Sequence, residues 1–242
     1  MVWDATAENM AVNVIAKVEG AGAWDAINYN DPITIGVMQW FGTRAAGLLN
    51  DIQTGNPTQY ALIAQSLRDD VAANPANDGG YWPRRWLSRP EGDSLKPVLR
   101  AVKGIQGQLI ASDIADYKRV IEGLGVNVDT HTNMAIFFMC MYHQTPRRAI
   151  DVLKIAGLKS SLDNIYAVCY NYPVFRDYRS RYTQARDIIA SGVAPDIVDL
   201  NDEGTETGDD GGGGGLIDDT EPVPLDPQRV NFTRVEVVGD NI

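Results

Sequence analysis

The sequence predicts a mostly helical α+β domain over residues 1–194, followed by an acidic tail. Apolar side chains recur at helical spacing in most segments, whereas one short segment, residues 34–37, is rich in β-forming residues. Residues 1–195 contain 19 acidic and 19 basic side chains, while residues 196–242 contain 13 acidic and 2 basic ones, which accounts for the net charge of −11. The low isoelectric point therefore describes the tail and not the main domain.

The first predicted helix ends in a glutamate. An apolar stripe predicts this helix over residues 5–19, and its members are Met10, Val14, Ile15 and Val18. Gly20 and Gly22 follow and are expected to end the helix. Glu19 then lies in the last turn, where the helix dipole and partial burial both disfavour the ionised carboxylate. We therefore expect the pKa of Glu19 to be raised, as the role of a general acid requires.

A turn and a short strand follow this helix. The run from Asn28 to Pro32 is composed of turn-forming residues, and residues 34–37 read as a strand. The turn is expected to bring Asp31 back across a cleft from Glu19. Two carboxylates facing one another, one of them with a raised pKa, are typical of glycoside hydrolysis.

Three short motifs in this region resemble those of the phage-type lysozymes and their wider superfamily. They are Glu19-Gly20, Tyr29-Asn30-Asp31 and Thr34-Ile35-Gly36. The run Gly36-Val37-Met38-Gln39 is also similar to a motif of goose-type lysozymes and lytic transglycosylases. Asp31 lies three residues later than the aspartate of the phage-type pattern. The position of that aspartate is occupied here by Asn28.

The resemblance implies a lysozyme-like fold with a small β element at the cleft, and hydrolysis of β-1,4 bonds in bacterial peptidoglycan. It implies that Glu19 protonates the leaving oxygen, that Asp31 orients a water or stabilises the transition state, and that Thr34 positions the water. An inverting reaction is expected, with carboxylates roughly 6.5–9.5 Å apart. No cofactor is expected.

Five further residues are assigned to substrate binding. Tyr29 and Gln39 belong to the motifs above, and Trp82 and Arg85 belong to an aromatic and basic cluster at residues 81–86. His143 lies in a turn similar to one that lines the cleft of lytic transglycosylases. The alternatives are that the tryptophans of the cluster close the core and that histidines at helix ends are structural. The histidines and cysteines lack the spacing of a metal site, and none is expected.

The remaining helices are predicted from apolar periodicity, caps and breakers. The segment 131–142 is apolar nearly all round, which predicts a central buried helix that contains one of the two cysteines, Cys140. Both cysteines are expected to be buried free thiols. The other predicted helices span residues 43–50, 57–73, 94–109, 112–123, 161–170 and 173–190, with one more beginning near residue 145.

The tail is divided into a flexible acidic linker, residues 195–228, and a terminal strand segment, residues 229–242. We expect the strand to pair with a phage tail or a wall-binding module, or with the main domain. The negative charge of the tail disfavours nucleic-acid binding, and no apolar run is long enough for a membrane span.

The N-terminus has no secretory signal pattern. This favours release from the host cytoplasm to the cell wall through a holin, or a place on the virion tail.

Three other functions fit the same sequence. A chitosanase shares the paired acids, a lytic transglycosylase needs only one acid, and a virion module would bind the wall without turnover. Product analysis after digestion of purified peptidoglycan distinguishes among them.

Overall fold

The computed structural model describes residues 2–198. This part of the chain is mostly helical with one small antiparallel sheet, as the sequence predicts. The sheet pairs β1 (Thr34–Ile35) with β2 (Trp40–Phe41). The helices are α1 (Ala5–Gly20), α2 (Thr43–Gly55), α3 (Pro57–Tyr60), α4 (Gln65–Ala73), α5 (Arg89–Ala101), α6 (Lys103–Gly123), α7 (Thr132–Gln144), α8 (Pro146–Ala156), α9 (Leu162–Asn171), α10 (Pro173–Arg176) and α11 (Arg179–Ser191), with a short 3₁₀ turn at Trp82–Arg84.

Helix α1 begins and ends with local stop signals. The Asp4 carboxylate accepts a hydrogen bond from the Ala7 N–H at 2.9 Å and caps the first turn. At the other end, Ala21 adopts the left-handed conformation with φ 54°, which was expected of a glycine. Gly20 is instead the last helical residue, and its lack of a side chain serves a tertiary contact described below.

Helix α7 is the centre of the core, as predicted. Every residue from 134 to 141 is buried, and the helix packs against α1, α6, α8, α9 and α11. Two polar residues near its ends form hydrogen bonds with backbone carbonyls: Thr132 with that of Val128 and His143 with that of Met38. Burying this apolar segment on all sides contributes most to the hydrophobic stabilisation of the fold. Both Cys140 and Cys169 are buried free thiols.

Two predicted helix boundaries differ from the structure because side chains serve tertiary contacts. The predicted break near residue 112 is absent, and α6 continues through Asp113, whose carboxylate accepts a hydrogen bond from the Trp40 indole at 2.8 Å. Ser94 does not cap a helix but lies inside α5, where its hydroxyl accepts from the Ala64 N–H at 2.9 Å. The cap of α5 is Ser88, which forms a reciprocal capping box with Glu91.

The single helices predicted over residues 57–73 and 173–190 are each divided. The first is interrupted between α3 and α4, and the second between α10 and α11 at Asp177 and Tyr178. Propensity alone does not predict such breaks, since packing overrides it over a few residues.

The last described residues belong to the packed domain. Val198 is 3% exposed, and the buried Asn13 carboxamide bonds to it and to Ile197. Residues 197 and 198 therefore pack against α1, and the boundary of the linker stays a prediction. The rest of the predicted linker and the strand segment 229–242 lie outside the described residues. Among residues 2–198, no helix has both the length and the apolar character that a membrane crossing requires.

Candidate active site

The end of α1 and the β-hairpin form one close contact. A Cβ placed on Gly20 would lie 2.6 Å from the Val37 carbonyl oxygen, so only glycine allows this approach. The hairpin turn itself uses Gly36 with φ 79° and Gln39 with φ 54°. Ile27 extends the sheet by a bridge to Ile35. This packing places the residues of the three sequence motifs in one region.

A buried glutamine holds the hairpin turn against the helices. The Gln106 side-chain oxygen accepts from the Val37 N–H at 3.1 Å. Its amide nitrogen donates to the carbonyls of Leu99 at 2.8 Å and Trp24 at 3.2 Å. A buried carboxamide with all these partners connects three segments at once and rigidifies the turn. The sequence contains no local signal for this role.

Glu19 forms a buried ion pair. Its side chain is 3% exposed, and its Oε1 lies 2.9 Å from Nη1 of Arg181, a residue of α11 that is itself 12% exposed. Burial and the C-terminal end of α1 disfavour the ionised carboxylate, but an adjacent guanidinium favours it. Glu19 is therefore buried, as the sequence predicts, but beside a cation that the sequence does not predict.

Three tyrosines surround this ion pair. Burial raises the pKa of Tyr117, Tyr178 and Tyr182, and the Glu19 carboxylate adds to the increase in each case. These hydroxyls remain protonated over the ordinary pH range, so they can donate hydrogen bonds. Tyr182 donates to the side-chain oxygen of Gln144 at the end of α7.

Asp31 is buried in the turn before β1. It is 1% exposed, and its Oδ2 accepts a hydrogen bond from the Asn28 amide at 2.7 Å. Burial raises the pKa of Tyr178, the charge of Arg181 lowers it, and the charges of Asp31, Asp177 and Glu19 raise it further. Both predicted catalytic carboxylates thus act on the same tyrosine, which precedes α11.

Thr34 is buried beside this turn, and its hydroxyl donates to the Pro32 carbonyl at 2.7 Å. Its oxygen lone pairs can still accept a hydrogen bond. Asp25, the other carboxylate near the motif, is paired with Arg100 at 2.6 Å on the outer side of α5. Asp31 and Thr34 therefore lie in the same turn before the hairpin, whereas Asp25 is engaged with α5.

Tyr29 and Gln39, two of the predicted substrate-binding residues, make structural contacts. The Tyr29 ring lies between Arg89, at 4.1 Å from its centroid, and Gly92, where a Cβ would overlap the hydroxyl. That hydroxyl is buried and has no hydrogen-bond partner within residues 2–198. The Gln39 amide donates inside the hairpin region, to the carbonyls of Gly36 and Ala26.

Trp82 is part of the core, as the alternative interpretation given above expects, whereas Arg85 forms largely buried ion pairs. Trp82 is fully buried and donates its indole N–H to the Pro75 carbonyl at 2.9 Å, so its ring cannot stack on a sugar. Arg85 pairs with Asp70 at 2.6 Å and with Glu91. The exposed aromatic residue of the cluster is Trp86, at 50% exposure. The sequence of the cluster does not show which of its two tryptophans faces solvent.

His143 is held between two hydrogen bonds. Burial, followed by the nearby Arg44 charge, lowers the pKa of His143 to about 3. The ring is therefore neutral, and because Met38 offers a carbonyl oxygen at 2.7 Å, Nε2 must be the protonated nitrogen. Nδ1 then accepts from the Tyr117 hydroxyl at 2.9 Å, which in turn accepts from Arg44 at 2.6 Å. These bonds connect α2, α6 and α7 to the hairpin turn.

An open groove of about 630 Å³ lies on the α6 side of this network. Neither Glu19 nor Asp31 lines the groove, whose walls are Arg44, Asp113, Asp116, Tyr117, Arg119, Val120, Tyr142 and Pro146. Arg44 also forms an ion pair with Asp113. In the part of the chain from residue 2 to residue 198, no three His, Cys, Asp or Glu side chains are grouped so as to hold a metal ion.

The site therefore consists of a buried glutamate paired with an arginine, a buried aspartate in the adjacent turn, and a hairpin packed on the end of the first helix. No protein-family model, curated protein or solved structure matches this chain.

Proposed function

We propose that this protein is a glycoside hydrolase that cleaves β-1,4 bonds of bacterial peptidoglycan, with Glu19 as the general acid. One observation carries the proposal. A glutamate with a 3% exposed side chain lies at the end of α1, where Gly20 allows the hairpin that bears Thr34 to pack against it. Buried carboxylates are costly unless they are paired, and they are concentrated at functional sites.

In the proposed reaction, Glu19 protonates the oxygen of the leaving sugar as the glycosidic bond breaks. Arg181 touches Glu19 and not the substrate, so it is a positioning residue. Its charge stabilises the carboxylate that forms when the proton leaves, but it also opposes the protonation of Glu19 that must come first, whereas burial and the end of α1 favour that protonation. Asp31 would orient the attacking water or stabilise the positive charge that develops on the ring, and Thr34 would position the water.

The function of the whole chain as a phage wall-lytic enzyme, acting from the host cytoplasm or from the virion tail, remains part of this proposal. Peptidoglycan strands are the proposed partner of the main domain, and a tail or wall-binding module is the proposed partner of the C-terminal segment. The reaction type follows from the products. New reducing ends indicate hydrolysis, anhydro-muramyl ends indicate a lytic transglycosylase, and the absence of turnover on any wall indicates a binding module.

Substitution of Glu19 tests the mechanism. Glu19→Gln keeps the shape but removes the transferable proton, so turnover on purified peptidoglycan should fall at least about 10²–10⁴-fold. Asp31→Asn should also reduce turnover, whereas Asp25→Asn should not. The matched control is Glu122→Gln, an exposed glutamate of α6 whose loss should leave the rate unchanged. If a folded Glu19→Gln protein kept roughly a tenth or more of the wild-type rate, Glu19 would not be the general acid.

A further inference from the structure

A row of four cations lies along α5 and the start of α6. Arg89, Lys96, Arg100 and Lys103 are separated by 7, 4 and 3 residues. The first two spacings keep Arg89, Lys96 and Arg100 on one face of α5, and Lys103 follows as the first residue of α6. Three of the four side chains belong to exposed residues, and Lys96 is half-buried. We call these four residues the α5 cation row.

The loop of residues 24–29 runs antiparallel along this row and contributes aromatic rings to it. The contacts, in loop order, are Lys103 at 5.8 Å from the Trp24 ring, Arg100 at 2.6 Å from Asp25, Lys96 at 6.0 Å from the Tyr29 ring and Arg89 at 4.1 Å from the same ring. Three of the four cations therefore lie near an aromatic ring of the loop, and the fourth, Arg100, pairs with its aspartate. The same loop continues in the chain into Asp31 and the hairpin.

The charges of the row are only partly balanced. Arg100 pairs with Asp25, and Lys96 lies 3.6 Å from Asp93. Arg89 and Lys103, at the two ends, form no ion pair with any residue in the range 2–198. Within residues 2–198, two positive charges at opposite ends of the row thus remain without an ion-pair partner, although residues 1–195 as a whole are neutral. Spaced cations suit a linear ligand with repeated negative groups better than a single small anion.

We infer that the α5 cation row binds anionic groups spaced along a cell-wall polymer and aligns that polymer with the candidate active site. The inference rests on the proposed function for the identity of the polymer. Phosphodiesters of a wall polymer and free carboxylates of a peptide-substituted glycan share the chemistry that ammonium and guanidinium groups recognise. The rings of Trp24 and Tyr29 pack against the cations of the row and hold them in place.

Binding to insoluble walls tests the inference without relying on turnover. The parent protein is the full chain with Glu19→Gln, and the fraction that sediments with purified walls is measured over a range of salt concentrations. If this variant folds poorly, the wild-type protein is used instead, on ice to slow turnover. Adding Arg89→Gln and Lys103→Gln should weaken binding about tenfold at low salt and reduce its salt dependence. The matched control, Arg147→Gln with Lys159→Gln, removes the same two charge types from exposed positions elsewhere and should bind like the parent. Equal binding by the row variant and the control variant would overturn the inference.

Two chemically treated walls identify the anionic group. Removal of phosphate polymers should weaken parent binding if phosphodiesters are the ligand, and amidation of free carboxylates should do so if carboxylates are. If neither treatment weakens binding, or if the row binds a single-stranded oligonucleotide more tightly than walls, the inference is wrong. A wild-type protein that bound walls through the row yet released no products would refute the proposed hydrolysis and leave this inference standing.

Discussion

Glu19 and Arg181 are 162 positions apart in the chain, and their contact changes what a substitution at residue 19 is expected to do. The sequence alone suggests that Glu19→Gln holds or raises stability, because it removes a buried charge. The ion pair reverses this expectation, since the same substitution leaves a largely buried guanidinium without its charged partner. Breaking one partner of a buried pair is more damaging than replacing both.

A double-mutant cycle measures the coupling of this pair. We expect Glu19→Gln and Arg181→Gln each to lower the free energy of unfolding, with an interaction energy of at least about 1 kcal/mol between them. The control cycle uses the exposed α6 pair Lys118 and Glu122, for which about 0.3–0.5 kcal/mol is expected. If denaturant titrations showed that the two substitutions lower the free energy of unfolding additively, the contact would contribute nothing to stability.

His143 makes stability depend on pH. The unfolded histidine has a pKa of about 6.5, whereas the folded one has a pKa of about 3. Between these values the unfolded state binds a proton that the folded state does not, so stability is complete above about pH 6.5 and falls as the pH decreases toward 3.

We expect the slope of unfolding free energy against pH, measured by urea titration at pH 5 to 6, to decrease by up to about 1.4 kcal/mol per pH unit in His143→Gln. His131→Gln is the control and should leave the slope near the wild-type value. A His143→Gln protein with an unchanged slope would show that this ring is protonated in the folded state.

At the scale of elements, the contact between α1 and the hairpin depends on the absence of a side chain at Gly20. The hairpin carries Thr34, and the turn before it carries Asp31, so the position of the hairpin determines the geometry of the proposed site. Gln106 and His143 hold the other side of the same turn through Val37 and Met38. The hairpin is thus fixed between a helix end and two polar side chains.

We expect Gly20→Ala to destabilise the protein by about 1–3 kcal/mol, because the added methyl meets backbone that must move. Turnover should fall as well, since the hairpin is displaced from Glu19. The comparison is Gly47→Ala in α2, where a Cβ meets nothing within 4 Å. That substitution should stabilise by about 0.5–1 kcal/mol, because alanine favours a helix interior. Equal thermal stabilisation by both substitutions would contradict the close approach at Gly20.

At the scale of the whole molecule, the chain after α11 returns to α1. The Asn13 side-chain oxygen accepts from the N–H groups of Ile197 and Val198 at 3.0 and 2.8 Å, and its amide donates to the Val198 carbonyl at 3.0 Å. Ile197 packs over Gly22. Asn13 is 1% exposed, so these bonds replace water that cannot reach it.

Two truncations locate the end of the domain. Removal of residues 199–242 should leave the melting temperature of the main domain nearly unchanged. Removal of residues 196–242 should lower it by about 5 °C or more, because Asn13 loses bonding partners and the contact of Val198 is lost. If the two melting temperatures coincide, the domain ends before residue 196, as the predicted linker at residues 195–228 implies.

The sequence by itself determined the features that depend on near neighbours. The apolar stripe from Met10 to Val18, the Asn and Asp turn before Thr34 and the uniformly apolar segment around Phe137 each encode their local structure within a few residues. The absence of a polar face also identified α7 as the central helix, because such a helix is stable only when other elements surround it. The resemblance of the motif around Glu19 directed attention to the region in which two buried carboxylates lie.

Only the tertiary structure decided which side chains meet. It paired Glu19 with Arg181, buried Trp82 while leaving Trp86 exposed, neutralised His143 between Tyr117 and Met38, and packed Val198 against Asn13. Helical and strand patterns repeat over 2 to about 4 residues and show which face of an element is apolar. They carry no information about which polar groups on distant elements come within hydrogen-bond distance, because that depends on how the whole core packs.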